Sequence, residues 1–224
     1  MLATAPKPVK ILVIDVGGTH VKVRIAGKRA ERKIPSGCSM TAAKMVEEVK
    51  RIVADWEYDV ISIGYPGPVI HGCPVHDPYN LGGGWVGFDF SKAFGCPVKI
   101  INDAAMQALG SYEGGRMLFL GLGSGLGSAM IVDGVLEPME LAHLPYKNGK
   151  TYEDYIGVRG LKRLGKKSWR RHVIDVVTRL KSALSADYVV LGGGNSAKIK
   201  KLPDGAQRGD NRNAFIGGAR LWKK

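Results

Sequence analysis

Apolar and polar positions along the chain alternate between two rhythms, period two and period three to four. KILVIDV at 10–16 is an apolar run interrupted only by Asp15, as in a buried strand, and HVKVRIA at 20–26 alternates with period two. Gly17-Gly18 lies between them, so the chain opens with a hairpin. A third short strand is predicted over 28–34. Met45, Val46, Val49, Ile52, Val53 and Trp56 then recur at helical spacing, and DVISIGY at 59–65 returns to strand. A loop rich in glycine and proline over 66–87 leads to a strand over Val98–Ile101 and a helix opening near Asp103.

The second half repeats this order. RMLFLGLG at 116–123 and Ser128–Val132 read as strands joined by the glycine-rich turn Gly121–Gly127, and Asp133-Gly134 turns the chain toward a third short strand. Helices are predicted from Tyr152 to Leu164 and from Ser168 to Ala186, and YVVLGGG at 188–194 returns as a strand. The repetition predicts two similar α/β lobes, residues 1–103 and 104–224, the last helix being a candidate to pack on the N-terminal lobe. A glycine turn at the tip of each first hairpin would then face a central cleft, where ligands prefer to sit.

With 45% hydrophobic residues among 224, the chain has a globular composition and disorder is excluded. Its 31 glycines are about twice the ordinary share of roughly 7%, which requires many tight turns and close backbone approaches. The 33 basic and 20 acidic residues leave a formal charge of +13, pointing to a polyanionic partner: nucleic acid, membrane surface or a phosphate-rich small molecule. Cys38, Cys73 and Cys96 form neither a disulfide framework nor a C-x-x-C zinc pair, so a reducing cytoplasm is expected. The apolar run Ile11–Ile14 is too short for a signal peptide, and nothing approaches the ~18 apolar residues of a membrane span.

Asp15-Val-Gly-Gly-Thr19 puts an acid at a strand end, two glycines whose backbone N–H groups can approach an anion, and a hydroxyl beside them. That is either a plain hairpin turn or a phosphate cradle. Gly121-Leu-Gly-Ser-Gly-Leu-Gly127 repeats the logic at the matching position, which strengthens the cradle reading of both. A dinucleotide fingerprint begun at Gly121 and Gly123 fails, because its last glycine falls on Leu126 and no helix follows. Asp103 is either a helix N-cap or a strand-end carboxylate placed to take a proton from a substrate hydroxyl. Glu140 and His143, three apart, form either a surface pair or hydrogen-bonding groups for a polyol.

In order along nearly the whole chain, the segments DVGGT (15–19), GYPGPV (64–69), Asn80 followed by Gly84-Trp85, IINDAA (100–105), GLGSGLGSAMIVDG (121–134), ELAHL (140–144), YEDY (152–155), VVLGGGNS (189–196) and NAFIGGARLW (213–222) resemble the ROK sugar kinases, especially their polyphosphate glucokinase branch. The resemblance implies the two-lobe actin/hexokinase-like (RNase H-like) fold and a hexose kinase, most simply a glucokinase acting on the 6-hydroxyl. It implies Asp103 as general base, and Asn80, Asn102, Asp103, Glu140, His143 and Glu153 as the sugar-binding set. Asp15, Gly17, Gly18, Thr19 and Lys22 look like the first phosphate clamp, Gly123, Ser124 and Gly125 like the second, and Gly192, Gly193, Gly194 and Asn195 like the loop under the donor. Mg²⁺, approached by Asp15 through a water, would neutralise phosphate charge. ATP, polyphosphate or both would be the donor, and a homodimer is the family's usual state.

The chain departs from the family in places. No cysteine follows Cys96, so the family's zinc motif is absent, His143 is not expected to ligate zinc and no structural zinc is expected. The usual Gly-Thr-Gly of the second clamp is Gly123-Ser124-Gly125, and the usual glycine before the histidine is Ala142. Only 14 residues precede Asp15, leaving no room for the helix-turn-helix of ROK repressors.

Twelve Lys or Arg against Asp175 and Asp187 over 159–201 concentrate the excess charge in one region. Because Trp169, Val173, Val176, Val177, Leu180 and Leu184 form an apolar stripe, the bases are either a solvated helix face or a track for a linear polyanion such as polyphosphate. Two alternatives stay open: a kinase for another hexose that uses ATP only, and a catalytically inactive actin-like protein that binds nucleic acid. The latter lacks stacking platforms, since only Trp169 and Tyr188 lie in the basic region, both at expected core positions.

Overall fold

The computed structural model describes residues 8–223; residues 1–7 and 224 of the expected lobes lie outside them. The chain forms two compact units. One runs through Asn102 and takes back the chain's end from Leu221; the other is Asp103–Arg220.

The first unit is built on a five-stranded sheet ordered β3-β2-β1-β4-β7. It contains β1 (Ile11–Val16), β2 (His20–Ile25), β3 (Glu31–Pro35), α1 (Ala42–Ile52), β4 (Val60–Tyr65), the two-residue pair β5 (Val69–Ile70) and β6 (Cys73–Pro74), α2 (Phe90–Phe94) and β7 (Val98–Asn102). β1 and β2 pair antiparallel with Asp15 opposite Lys22, while β4 joins β1 and β7 in parallel. Leu12, Ile14, Ile61 and Ile63 are fully buried against Met45 and Val49 of α1, and burying each such aliphatic side chain is worth about 1.5–3 kcal/mol. Thr41 caps α1, its hydroxyl accepting the Lys44 N–H at 3.2 Å.

The predicted helical spacing from Met45 to Trp56 overruns α1. The helix stops at Ile52, and Trp56 instead folds back in a turn, its N–H donating to Val53 O at 2.8 Å. Arg32 lies 4.4 Å from the centroid of its ring while pairing with Asp55. Beyond Arg220 the chain closes on the first unit's sheet: Trp222 Nε1 donates to Ser62 Oγ at 2.9 Å and Lys99 Nζ to Leu221 O at 2.7 Å.

The second unit repeats the plan. Its sheet is ordered β10-β9-β8-β13-β14, from β8 (Arg116–Leu122), β9 (Leu126–Val132), β10 (Val135–Met139), β13 (Tyr188–Gly192) and β14 (Ala206–Arg208). Again three antiparallel strands are followed by parallel ones. Between β10 and β13 lie the short pair β11 (Pro145–Lys147) and β12 (Lys150–Thr151), α4 (Tyr152–Ile156) and α5 (Val158–Ala183). The helices α3 (Asp103–Ser111) and α6 (Asn213–Arg220) open and close the unit.

The helix predicted over 152–164 is broken inside its span, and the gap predicted before 168 holds a second break. Gly157 is extended, separating α4 from α5, and Gly165 (φ 71°, ψ 161°) interrupts α5, a left-handed position that only glycine takes cheaply. The apolar stripe lands inward: Trp169, Val173, Val176 and Val177 are fully buried, and Trp169 Nε1 donates to Ile156 O at 2.8 Å. The last helix packs on α3 within its own unit. A Cβ at Gly110 would collide with Asn213 O and one at Gly217 with Met106 O, so the two backbones touch where side chains are missing. Asn213 Nδ2–Ser111 Oγ at 2.9 Å ties the same crossing.

Candidate active site

In the first unit the turn between β1 and β2 closes with the Gly17 N–H donating to His20 O at 3.0 Å. Gly18 lies against Asn80, whose Cβ would be 3.6 Å from a Cβ at Gly18, so this turn and the Asn80 loop are neighbours. That loop is held by Asp77: Trp85 N–H donates to Oδ1 at 2.8 Å and Gly84 N–H to Oδ2 at 3.2 Å. The same backbone donors hold the Asp77 carboxyl below its ordinary range. Trp85, fully buried, donates its indole N–H to Gly82 O at 2.7 Å and packs 5.5 Å from the Tyr65 ring. Asn102 donates through Nδ2 to Gly67 O at 3.0 Å.

Asp15 is only half-buried as a residue, yet atoms crowd its carboxyl closely enough that desolvation pushes its pKa up, with Lys22 on the paired strand pulling back. A carboxylate so placed gains from an additional positive charge nearby.

In the second unit the glycine turn is braced from three sides. Glu153 on α4 accepts the Leu126 N–H at 3.3 Å through Oε2 and pairs with Arg159 at 3.0 Å through Oε1; a Cβ at Gly125 would collide with Oε2. The Val158 N–H donates to Ser124 O at 3.2 Å, pinning the start of α5 to the tip. Asn195 donates through Nδ2 to Gly123 O at 3.0 Å and through its backbone N–H to Leu122 O at 2.9 Å, which fastens the loop after β13 to the turn. Gly193 (φ 77°) lies so close to Leu122 that a Cβ there would be 2.6 Å from its carbonyl oxygen.

Asp103 is the first residue of α3, and the N–H of Ala104 donates to its Oδ1 at 2.7 Å. Ala104 in turn meets Gly127, where a Cβ would come within 2.7 Å of the alanine's, so the start of the helix packs on the strand that leaves the glycine turn. Glu140 precedes a single 3₁₀ turn, Leu141–His143. Buried Ser128 fixes its approach, accepting from Leu141 N–H at 3.1 Å and donating to Met139 O at 2.7 Å. Desolvation raises the Glu140 pKa, with His143 lowering it and Glu153 raising it further, so these three side chains sense one another.

Within the first unit, then, Asn80 adjoins the turn of Asp15, Gly17, Gly18 and Thr19. Within the second, Glu140, His143, Glu153, Gly123–Gly125 and the loop Gly192–Asn195 form one connected set, with Asp103 on the adjoining helix start. Sequence reasoning missed the braces Asp77, Ser128 and Arg159. Only Arg159 left a signal, as a base six residues after Glu153 at the head of a helix.

The sequence profile of the ROK family matches residues 11–137, more than half of the chain. The chain belongs to the ROK family. A polyphosphate glucokinase of Mycobacterium tuberculosis is 30% identical to this ROK chain over 216 residues, covering 84% of it and 78% of the relative. The crystal structure of an inorganic polyphosphate/ATP-glucomannokinase from Arthrobacter sp. strain KM superposes with TM-score 0.81 at 24% identity, covering 96% and 98% of the two chains. A ROK glucokinase from Streptomyces griseus in complex with glucose and AMPPNP gives 0.76 at 15%, covering 95% and 97%. The fold is the actin/hexokinase-like α/β fold expected from the sequence. Among the described residues no helix is long and apolar enough to cross a membrane, and no three His, Cys, Asp or Glu side chains cluster as a metal site would require.

Proposed function

We propose that this ROK protein is a glucokinase that transfers the terminal phosphoryl group of polyphosphate or ATP to the 6-hydroxyl of glucose. The observation that carries the reading is the second unit's glycine turn, held rigid by Glu153, Asn195 and the head of α5, with the Asp103 helix packed on the strand leaving it. Phosphoryl transfer rests mainly on positioning and electrostatics, and a turn fixed in advance supplies both. The names of relatives that act on glucose with polyphosphate support the same substrate and donor.

On this reading Asp103 takes the proton of the sugar hydroxyl as its oxygen attacks the terminal phosphorus. The bond from that phosphorus to the bridging oxygen breaks, and the electron pair leaves with ADP or the shortened chain. From the first unit, Asn80 and Asn102 bind the sugar, and Gly17, Gly18, Thr19 and Lys22 approach phosphate. From the second, Glu140, His143 and Glu153 bind the sugar, Gly123, Ser124 and Gly125 phosphate, and Gly192–Asn195 the donor's far end. Mg²⁺ fits Asp15: the desolvated carboxylate welcomes a hydrated dication, which keeps several waters and takes one or two carboxylates plus substrate phosphates. When bound, the ion neutralises phosphate charge. We place the protein in the cytoplasm, as a homodimer without structural zinc.

A coupled assay for glucose 6-phosphate, run with ATP and with polyphosphate, tests the reading. Product should form with at least one donor, vanish with a strong chelator and return with Mg²⁺ in the absence of zinc. Recovery that requires zinc would overturn the metal assignment, and no product with either donor would overturn the kinase.

A further inference from the structure

Between Asp154 and Asp175 the chain has seven basic residues and no acidic one. The structure divides them sharply. Arg159 is committed to Glu153, Arg163 to Asp154 O at 2.9 Å and Arg170 to Lys198 O at 2.6 Å. Lys162, Lys166, Lys167 and Arg171 are exposed, and among the described residues their side chains make no ion pair or hydrogen bond. Lys167 and Arg171 are four apart on the helix that follows the break at Gly165, a like-charge spacing that destabilises a helix when nothing lies between, while Lys162 and Lys166 flank the break itself.

The committed arginines show where the free cations stand. The first segment of α5 starts at the glycine turn, through Val158 and Ser124, and rises about 1.5 Å per residue to the break at Gly165. The second segment is tied near its start by Arg170 to Lys198, whose Nζ donates to Asn195 Oδ1 at 2.5 Å. The free cations therefore surround a break whose two sides are anchored to the turn and to the loop after β13. Both anchors are the elements read above as holding the donor.

We infer that Lys162, Lys166, Lys167 and Arg171 form an outer binding surface for the part of a linear polyphosphate chain that extends beyond the reacting end. The inference rests on the donor reading of the proposed function. A flexible polyanion bridging several cations offsets their mutual repulsion and releases its counterions, a gain that grows with chain length and falls with salt. ATP and tripolyphosphate carry three phosphates each, fewer than the four cations, and their reacting end is held at the turn. RNA of similar charge is disfavoured, since Trp169 is fully buried and leaves no stacking platform among the four cations.

The test compares the wild type with a quadruple variant, Lys162→Gln, Lys166→Gln, Lys167→Gln and Arg171→Gln. A control of equal charge loss on the first unit carries Lys28→Gln, Arg29→Gln, Lys33→Gln and Lys44→Gln. KM is measured for ATP, tripolyphosphate and long-chain polyphosphate at low and physiological salt, and binding of a fluorescent long chain is measured directly. The variant should raise the long-chain KM at least about tenfold and flatten its salt dependence by roughly one logarithmic unit per contact removed, with ATP and tripolyphosphate within about twofold. The control should resemble the wild type. Equal effects on all donors, the same loss in the control, or stronger displacement of the long chain by single-stranded RNA than by unlabelled polyphosphate would overturn the surface. If the wild type binds long chains through these residues yet transfers nothing from them, the donor reading falls and the surface stands.

Discussion

The two glycine turns occupy the same place in two similarly ordered sheets, but they are held by different means. The turn at Gly17-Gly18 is closed by its own hairpin hydrogen bonds, and the neighbouring Asn80 loop is organised at one remove, by Asp77. The turn at Gly121–Gly127 is gripped by α4, the head of α5 and the loop after β13. A repeated topology therefore fixes where a phosphate turn lies, while side chains from elsewhere decide how firmly it is held. Disturbance near the second turn should accordingly cost more than disturbance near the first.

The largest effect is expected at Asp103, beside the second turn. Asp103→Asn keeps the size and the acceptor for Ala104 N–H but cannot take a proton, so kcat should fall at least ~10²-fold while KM for the sugar changes little. Steady-state kinetics with saturating donor decide it. A variant with wild-type turnover would reduce Asp103 to a helix cap.

A smaller effect separates the turns themselves. Gly125→Ala would drive its Cβ into Glu153 Oε2, and that carboxylate cannot swing away without releasing Leu126 N–H and Arg159. We expect kcat/KM to fall about tenfold, equivalent to about 1.4 kcal/mol of transition-state stabilisation. Gly18→Ala meets only ordinary contact at 3.6 Å from Asn80 Cβ, and its kcat/KM should stay within about twofold. The reverse order would show that the first turn is the less tolerant one.

This asymmetry was only partly legible in the sequence. Both hairpins could be read because period-two alternation and paired glycines are local signals, and the interruption of α5 was visible as a gap in the apolar stripe between Leu164 and Ser168. Trp56 misled because a residue three beyond Val53 fits either a continuing helix or a turn that folds back, and contact with Arg32 settled it. The loop over 66–87 carried no period at all. Its order comes from a carboxylate seven and eight residues from its backbone partners and from the burial of Trp85, contacts no spacing rule encodes. Likewise the residues of the proposed site were found by their motifs, whereas Ser128 and Arg159, which position them, act across elements.

A smaller effect than at Gly125 is expected at Asp77, the brace of the first unit, and it carries its own pH signature. Two oxygens accept the N–H groups of Trp85 and Gly84 at once; in Asp77→Asn only one oxygen remains an acceptor, so the Asn80 loop should loosen without losing its fold. KM for glucose should rise about threefold at unchanged kcat, since only a positioning contact weakens. Those backbone donors lower the folded-state pKa of Asp77 from its ordinary 3.8. Its contribution is therefore complete above the unfolded value and is lost as pH falls through the lower folded one. Thermal melts should show the wild type ahead of Asp77→Asn by a few degrees at neutral pH, with the gap narrowing below about pH 4. A gap that is constant across that range would mean that shape, not charge, holds the loop, and the contrast between the two turns would then rest on Glu153 alone.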